Sequence, residues 1–153
     1  MKKVVRQKTT ENTPKRKDAD SAFLKRKMIL EEISSDALAY LGDSVIELLV
    51  REHLVKSGIS GAAHLNSEAL KYVKASSQAK AMRNILPLLD EHEEQIYKRG
   101  RNKQGGNIPK SATVSEYRCA TGMEVLFGYL YLAEQKERIE ELFFEAFFPD
   151  RQQ

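Results

Sequence analysis

Apolar and polar positions along the chain recur at helical rather than strand spacing. From Ser21 onward, Phe23, Ile29, Leu30 and Ile33 return at intervals compatible with one helix face. Ser34-Ser35-Asp36 then supplies side chains that accept the orphan amide hydrogens of a first turn, which predicts a helix start. That helix is expected to run to Ser57–Gly58, where glycine provides a stop. Another is expected over Asn66–Ile85, ending near Pro87, and a shorter acidic one from Leu88 to Tyr97. Residues 98–113 (KRGRNKQGGNIPKSAT) have no helical pattern, three glycines and a proline, and read as a long loop. Helices resume over Val114–Ala133 and Glu137–Phe148. With no internal repeat and no strand-like alternation, the fold class is all-α.

Residues 1–20 depart from this pattern. They are rich in Lys, Arg and Thr, contain Pro14, and carry too little apolar surface to offset ordering entropy, so a disordered basic arm is expected. The remaining residues, 21–153, form one domain, in keeping with a length of 153. The 41% hydrophobic and 31% charged composition is globular. No apolar run approaches the roughly 18 residues that cross a bilayer, and the charged start is followed by no apolar core, so no secretory signal is expected. Cys119 is the single cysteine, which excludes an internal disulfide and fits a reducing, cytoplasmic setting. His53, His64 and His92 are scattered, which argues against a structural zinc site. The charge is uneven: residues 1–27 hold ten Lys/Arg against three acids (+7), and residues 28–153 hold fifteen against nineteen (−4).

The acids of the body are oddly placed. In Asp36-Ala-Leu-Ala-Tyr-Leu-Gly-Asp43-Ser-Val-Ile-Glu47-Leu-Leu-Val50, apolar residues cover most of the circumference, and the helix is expected to be largely buried. Asp36, Asp43 and Glu47 share one stripe, at spacings of seven and four. Like charges so arranged need a cation nearby. Gly42 costs about 1 kcal/mol relative to alanine inside a helix, a penalty that makes sense where another backbone approaches closely. A second apolar segment, Ala120-Thr-Gly-Met-Glu124-Val-Leu-Phe-Gly-Tyr-Leu-Tyr-Leu132, has Glu124 as its one carboxylate, on a stripe with Thr121 and Gly128. A lone buried carboxylate would be unfavourable or titrate neutral. Bringing Asp43 and Glu124 together around a divalent cation resolves both anomalies, and oxygen-only ligation suits Mg²⁺ or Mn²⁺. The competing reading is that the acids pair with Arg51, Arg118 or Lys71, or face solvent; for Glu47 an ordinary ion pair is the better account.

Residues 98–115 contain Lys98, Arg99, Arg101, Lys103 and Lys110 and no acid before Glu116. A flexible cationic loop between helices can adapt to phosphates and release counterions. Lys71, Lys74 and Lys80 add cations on the preceding helix, with Ser76, Ser77 and Gln78 as neutral donors. Tryptophan is absent and no aromatic interleaves the loop, which argues against stacking on single-stranded bases. Shape-dependent backbone contact with double-stranded RNA is the expectation. A merely solvated loop is the alternative.

Together, Ala39-Tyr-Leu-Gly-Asp43-Ser, the Gly-Arg-Asn-Lys loop and Tyr117-Arg-Cys-Ala-Thr-Gly-Met-Glu124 resemble the ribonuclease III domain, most closely its short bacterial form, Mini-ribonuclease III. The resemblance covers roughly residues 30–148. It implies that Asp43 and Glu124 are the metal-binding catalytic carboxylates of an endonuclease acting on double-stranded RNA, with Asp36 at the cleft edge. It also implies Mg²⁺ as cofactor, with Mn²⁺ able to substitute, and products with a 5′ phosphate and a 3′ hydroxyl. A homodimer and maturation of the large-subunit (23S) ribosomal RNA precursor follow from the same resemblance, and an accessory ribosomal protein presenting the RNA is compatible with it. Ala39 and Thr121 stand where full-length members carry further carboxylates, so two protein ligands are expected rather than four. The end of the chain at Gln153 leaves no room for a separate double-stranded-RNA-binding domain, so the catalytic domain is expected to hold RNA through Lys71, Lys74, Lys98, Arg99, Arg101, Lys103 and Lys110. The stripe Ile139, Leu142, Phe143, Ala146 and Phe147, widened by Phe144 and Phe148, is compatible with a dimer surface and equally describes an internal core. Two other readings stay open: a catalytically silent module that binds structured RNA, and a helical interaction domain whose acids are ion-paired.

Overall fold

The structure is a computed structural model that describes residues 16–152, and every regular element among them is helical. The order is α1 (Arg16–Glu32), α2 (Ser35–Lys56), α3 (Ala62–Val73), α4 (Ala75–Ile85), a short 3₁₀ turn (Leu86–Leu88), α5 (Glu91–Arg101), α6 (Val114–Leu132), α7 (Lys136–Phe147) and a closing 3₁₀ turn (Pro149–Gln152). Residues 16–20, expected within the disordered arm, are the first turns of α1; residues 1–15 lie outside the described residues. The chain divides after Glu32 into two units, so α1 stands by itself and α2–α7 make up the body.

Helix α6 is the centre of the body. Its sequence is apolar on every side, and Met123, Val125, Leu126, Phe127 and Leu130 are fully buried. Helices α2, α4 and α5 pack directly around it. Helix α2 begins as its sequence predicts, with the Ser34 hydroxyl accepting from the Ala37 amide. It is not buried all round, however. Leu38, Ile46 and Val50 face α6 and the core, while Tyr40, Leu48 and Val55 are exposed, Tyr40 by 83%. The body's other helices leave Tyr40 and Leu48 exposed, while α3 borders Val55.

Three boundaries differ from expectation. The single helix over Asn66–Ile85 is two helices, broken at Lys74, whose φ of −65° and ψ of 147° are extended. Gln78 closes this break from inside, its side-chain amide donating to the Val73 carbonyl at 3.3 Å; it is buried and is no surface donor. The acidic helix begins at Glu91 rather than Leu88, because Asp90 and Glu93 form a capping box around the first turn. It also continues to Arg101, which puts Lys98, Arg99 and Arg101 on α5 and shortens the loop to residues 102–113.

The α7 stripe is core. Ile139, Leu142, Phe143 and Ala146 are buried, and α7 packs on α4 and α6. Its docking is fixed by a polar anchor: Arg138 donates to both carboxylate oxygens of buried Glu93 at 2.8 Å and to the Leu88 carbonyl at 2.8 Å. A bidentate guanidinium–carboxylate pair satisfies a carboxylate that burial would otherwise penalise.

Candidate active site

The site lies on the seam between α2 and α6, and two glycines set its width. A Cβ on Gly42 would collide with the Glu124 carbonyl and lie 2.9 Å from the Gly128 amide nitrogen. A Cβ on Gly128 would collide with the Leu38 carbonyl and lie 3.1 Å from the Gly42 amide nitrogen. The helices therefore cross backbone to backbone, and the residues next to the crossing, Asp43 on α2 and Glu124 on α6, are brought to one place. The close approach read from Gly42 in the sequence is thus made by α6.

Neither carboxylate has a hydrogen bond or an ion pair of its own among the described residues, unlike Glu47, which pairs with Arg51 at 2.5 Å. Glu124 is largely buried, and burial first, then the negative charge of Asp43, push its pKa up to about 8, with Lys103 pulling the other way. Asp43 is raised as well, by partial burial and then by Glu47. Two carboxylates held together with no cation bonded directly to either, one of them open to solvent, match the hard oxygen donors that a Mg²⁺-like cation accepts while keeping several waters. Among the described residues no cluster of three or more His, Cys, Asp or Glu forms a fuller cage. Thr121 adds no charge: its hydroxyl donates to the Tyr117 carbonyl at 3.0 Å, one turn back in its own helix.

Asp36 stands at the start of α2, exposed, and is bound by Lys103. Lys103 follows the end of α5, and α5 is itself pressed onto α6, since a Cβ on Gly100 would lie 2.9 Å from the Gly122 Cα. This second close crossing carries Lys103 to the acidic seam, near enough to act on Glu124. From its sequence Lys103 reads as one cation of a phosphate-binding loop; its placement among the carboxylates comes only from the packing of α5.

The other expected RNA contacts are dispersed. Lys71 pairs with Glu68 at 2.6 Å and Lys98 with Glu94 at 2.7 Å. Arg99 turns inward and donates to the Ile33 carbonyl at 2.9 Å. Arg101 stacks over Tyr97, its guanidinium carbon 5.6 Å from the ring centroid. Lys74 is exposed at the helix break and Lys110 on the loop. The Glu93–Arg138 anchor was not legible in the sequence, because its partners lie 45 residues apart and no local spacing links them.

Known proteins resemble this chain over most of its length. The family profile described as "Ribonuclease III domain" matches residues 36–135, which include Asp36, Asp43 and Glu124. The Mini-ribonuclease 3 of Symbiobacterium thermophilum is 47% identical over 105 residues, covering 69% of this chain and 81% of that protein. That of Enterococcus faecalis is 45% identical over 114 residues, covering 73% and 86%. A crystal structure of a protein from Fusobacterium nucleatum superposes with a TM-score of 0.67 at 33% identity, over 73% of this chain and 89% of that one.

Proposed function

The chain belongs to the ribonuclease III family and is an endoribonuclease of that type, and from this premise we propose that it cleaves double-stranded RNA by metal-assisted phosphodiester hydrolysis at Asp43 and Glu124. The observation that carries the proposal is the pair of carboxylates at the α2–α6 crossing, held close by Gly42 and Gly128 with neither bonded directly to a cation of the chain. Asp43 and Glu124 would hold Mg²⁺, or Mn²⁺ in its place. When bound, such a cation acidifies water and stabilises charge developing on the scissile phosphate. The chain's own contribution is to keep both carboxylates at a fixed separation and to favour the ionised form of Glu124 through Lys103. Asp36 holds Lys103 in that position. A 5′-phosphate product and the 23S ribosomal RNA precursor as substrate belong to the same reading, as does cytoplasmic action, with a ribosomal protein presenting the RNA as its accessory.

A homodimer also belongs to it. The surface that favours self-association is on α2 rather than α7: Tyr40, Leu48 and Val55 form one exposed apolar stripe along the helix that carries Asp43. Val55 continues it into a groove of about 300 Å³ lined by Leu54, Ala62, Leu65 and Ala69.

The test is incubation with long double-stranded RNA in Mg²⁺, in Mn²⁺ and in chelator. Cleavage is expected with either metal and not with chelator, and Asp43→Asn and Glu124→Gln are each expected to abolish it while RNA retention persists. RNA left intact by the unaltered protein in both metals, yet retained on it, would favour the silent RNA-binding module. That second reading is motivated by Ala39 and by the Thr121 hydroxyl turned onto its own helix.

A further inference from the structure

On another side of α6 the body has a recess of about 510 Å³ into which three arginines from three helices converge: Arg83 of α4, Arg101 in the last turn of α5 and Arg118 of α6. Tyr97 and Cys119 form its inner wall, and Ser115, in the first turn of α6, stands at its edge. No carboxylate lines it. Among the described residues neither Arg83 nor Arg118 makes an ion pair or a hydrogen bond, and Arg101 bonds to the neighbouring Asn102 side chain at 3.2 Å and interacts with Tyr97, over whose ring it stacks, but with no acid.

Some cations of the body pair with acids, and others, such as Lys74, Lys80 and Lys110, stand exposed without one. Arg51, Lys56, Lys71, Lys98, Lys103 and Arg138 each pair with an acid. The body carries more acids than bases, so partners are plentiful. Three guanidiniums gathered without one repel each other and are stabilised by an anion from outside the chain. Guanidinium groups present forked donors that match phosphate oxygens.

We propose that this recess is a second phosphate subsite, in which Arg83, Arg101 and Arg118 hold a phosphodiester of the RNA away from the scissile position. The inference rests on the double-stranded-RNA reading above. Two features favour a polymer over a small free anion. Arg83 and Arg118 are exposed at the rim, which suits a backbone passing across the recess rather than a molecule enclosed in it. Arg101 is also only two residues from Lys103, a chain span of at most ~7 Å. The recess and the acidic seam are therefore within reach of one duplex. The subsite would orient the substrate: one phosphate lies at the carboxylates and another is fixed on an adjoining face.

The experiment uses the full chain carrying Asp43→Asn, so that RNA is bound and not cut. Duplex affinity is measured across a salt series with and without Arg83→Ala and Arg118→Ala together. Loss of one phosphate contact is expected to lower the slope of log affinity against log salt by about 1 and to weaken binding roughly tenfold at low salt. Arg83→Glu with Arg118→Glu, exposed positions that the fold tolerates, is expected to weaken it further, with circular dichroism confirming that both variants fold. In chain with Asp43 intact, the alanine pair is expected to raise KM for duplex while leaving kcat nearly unchanged. A parallel arm measures thermal stabilisation by inorganic phosphate and tripolyphosphate. An unchanged salt slope overturns the subsite; so does a slope that is unchanged while stabilisation by the free anions is lost, which would assign the recess to a small anion. Failure of the unaltered chain to bind or cut duplex at all overturns the nuclease reading itself, a result distinguishable from either.

Discussion

Gly42 and Glu124 touch backbone to backbone: a single methyl group added to Gly42 would occupy the space of the Glu124 carbonyl. The separation of the two candidate metal ligands is thus set by the main chains of α2 and α6, not by side-chain packing between them. Gly42→Ala is expected to lower stability by at least about 3 kcal/mol in denaturant unfolding, because neither backbone can yield without moving a whole helix. Cleavage is expected to fall even under conditions where the variant remains folded. A fully stable, active Gly42→Ala protein would show that the crossing is looser than described.

Stability should depend on pH through Glu124. Its carboxyl keeps a proton up to about 8 in the folded state, against an ordinary 4.5. Between those values the folded state binds more protons than the unfolded one, so this group makes stability fall as pH rises from 4.5 to 8. Without divalent metal, Glu124→Gln is therefore expected to stabilise the protein at pH 8, by on the order of 1–3 kcal/mol, and to do nothing near pH 4. Added Mg²⁺ should raise the Tm of the unaltered protein more at pH 8 than at pH 6, where the proton competes. Equal Tm values for the two proteins at pH 8 would contradict this environment for Glu124.

The exposed stripe on α2 predicts how copies associate. Leu48→Glu places a charge among Tyr40, Leu48 and Val55 at a position that is 64% exposed. Sedimentation is expected to show a dimer for the unaltered chain and a monomer for the variant, with helix content retained. A monomer in both cases would remove the dimer from the account, and the stripe would need another partner.

Arg99 and Lys103 sit four residues apart and should behave differently. Arg99 is bonded to the Ile33 carbonyl and half-buried, so Arg99→Ala is expected to cost about 1–2 kcal/mol of stability and to leave the salt dependence of RNA binding alone. Lys103→Ala is expected to change Tm little, since its pair with Asp36 is largely solvent-exposed on the acid side. It should weaken RNA binding, reduce the salt slope by about 1 and slow cleavage. Identical effects of the two changes on RNA binding would return Arg99 to the phosphate-contacting set.

What the sequence disclosed and what it hid follow from the range of the interactions. The start of α2 at Ser34 and the stop at Ser57 were legible because caps act within one turn. The crossing at Gly42 and Gly128 was legible for a related reason: a glycine inside an apolar helix carries a local penalty that needs a tertiary cause. The break at Lys74 was not, since its extended ψ is held by Gln78 and by packing rather than by proline or glycine. The last turn of α5 has no apolar period beyond Tyr97, because Gly100 fills its buried face with backbone alone. The pairing of Asp43 with Glu124 could be inferred from two misplaced charges. The convergence of Arg83, Arg101 and Arg118 could not, as each lies on a different helix.

The connection between α5 and α6 is fastened at two points. Lys103 holds its beginning to Asp36, and the Tyr117 hydroxyl lies against Gly106. Between these points and α6, residues 107–112 hold one turn, in which the Ala112 amide donates to the Pro109 carbonyl at 3.1 Å. Ordering backbone costs about 1–2 kcal/mol of entropy per residue, so each residue already fastened in the free chain lowers the cost that RNA binding must offset. Cutting the first fastening is therefore expected both to weaken the hold on RNA and, by releasing Lys103, to remove its pull on Glu124.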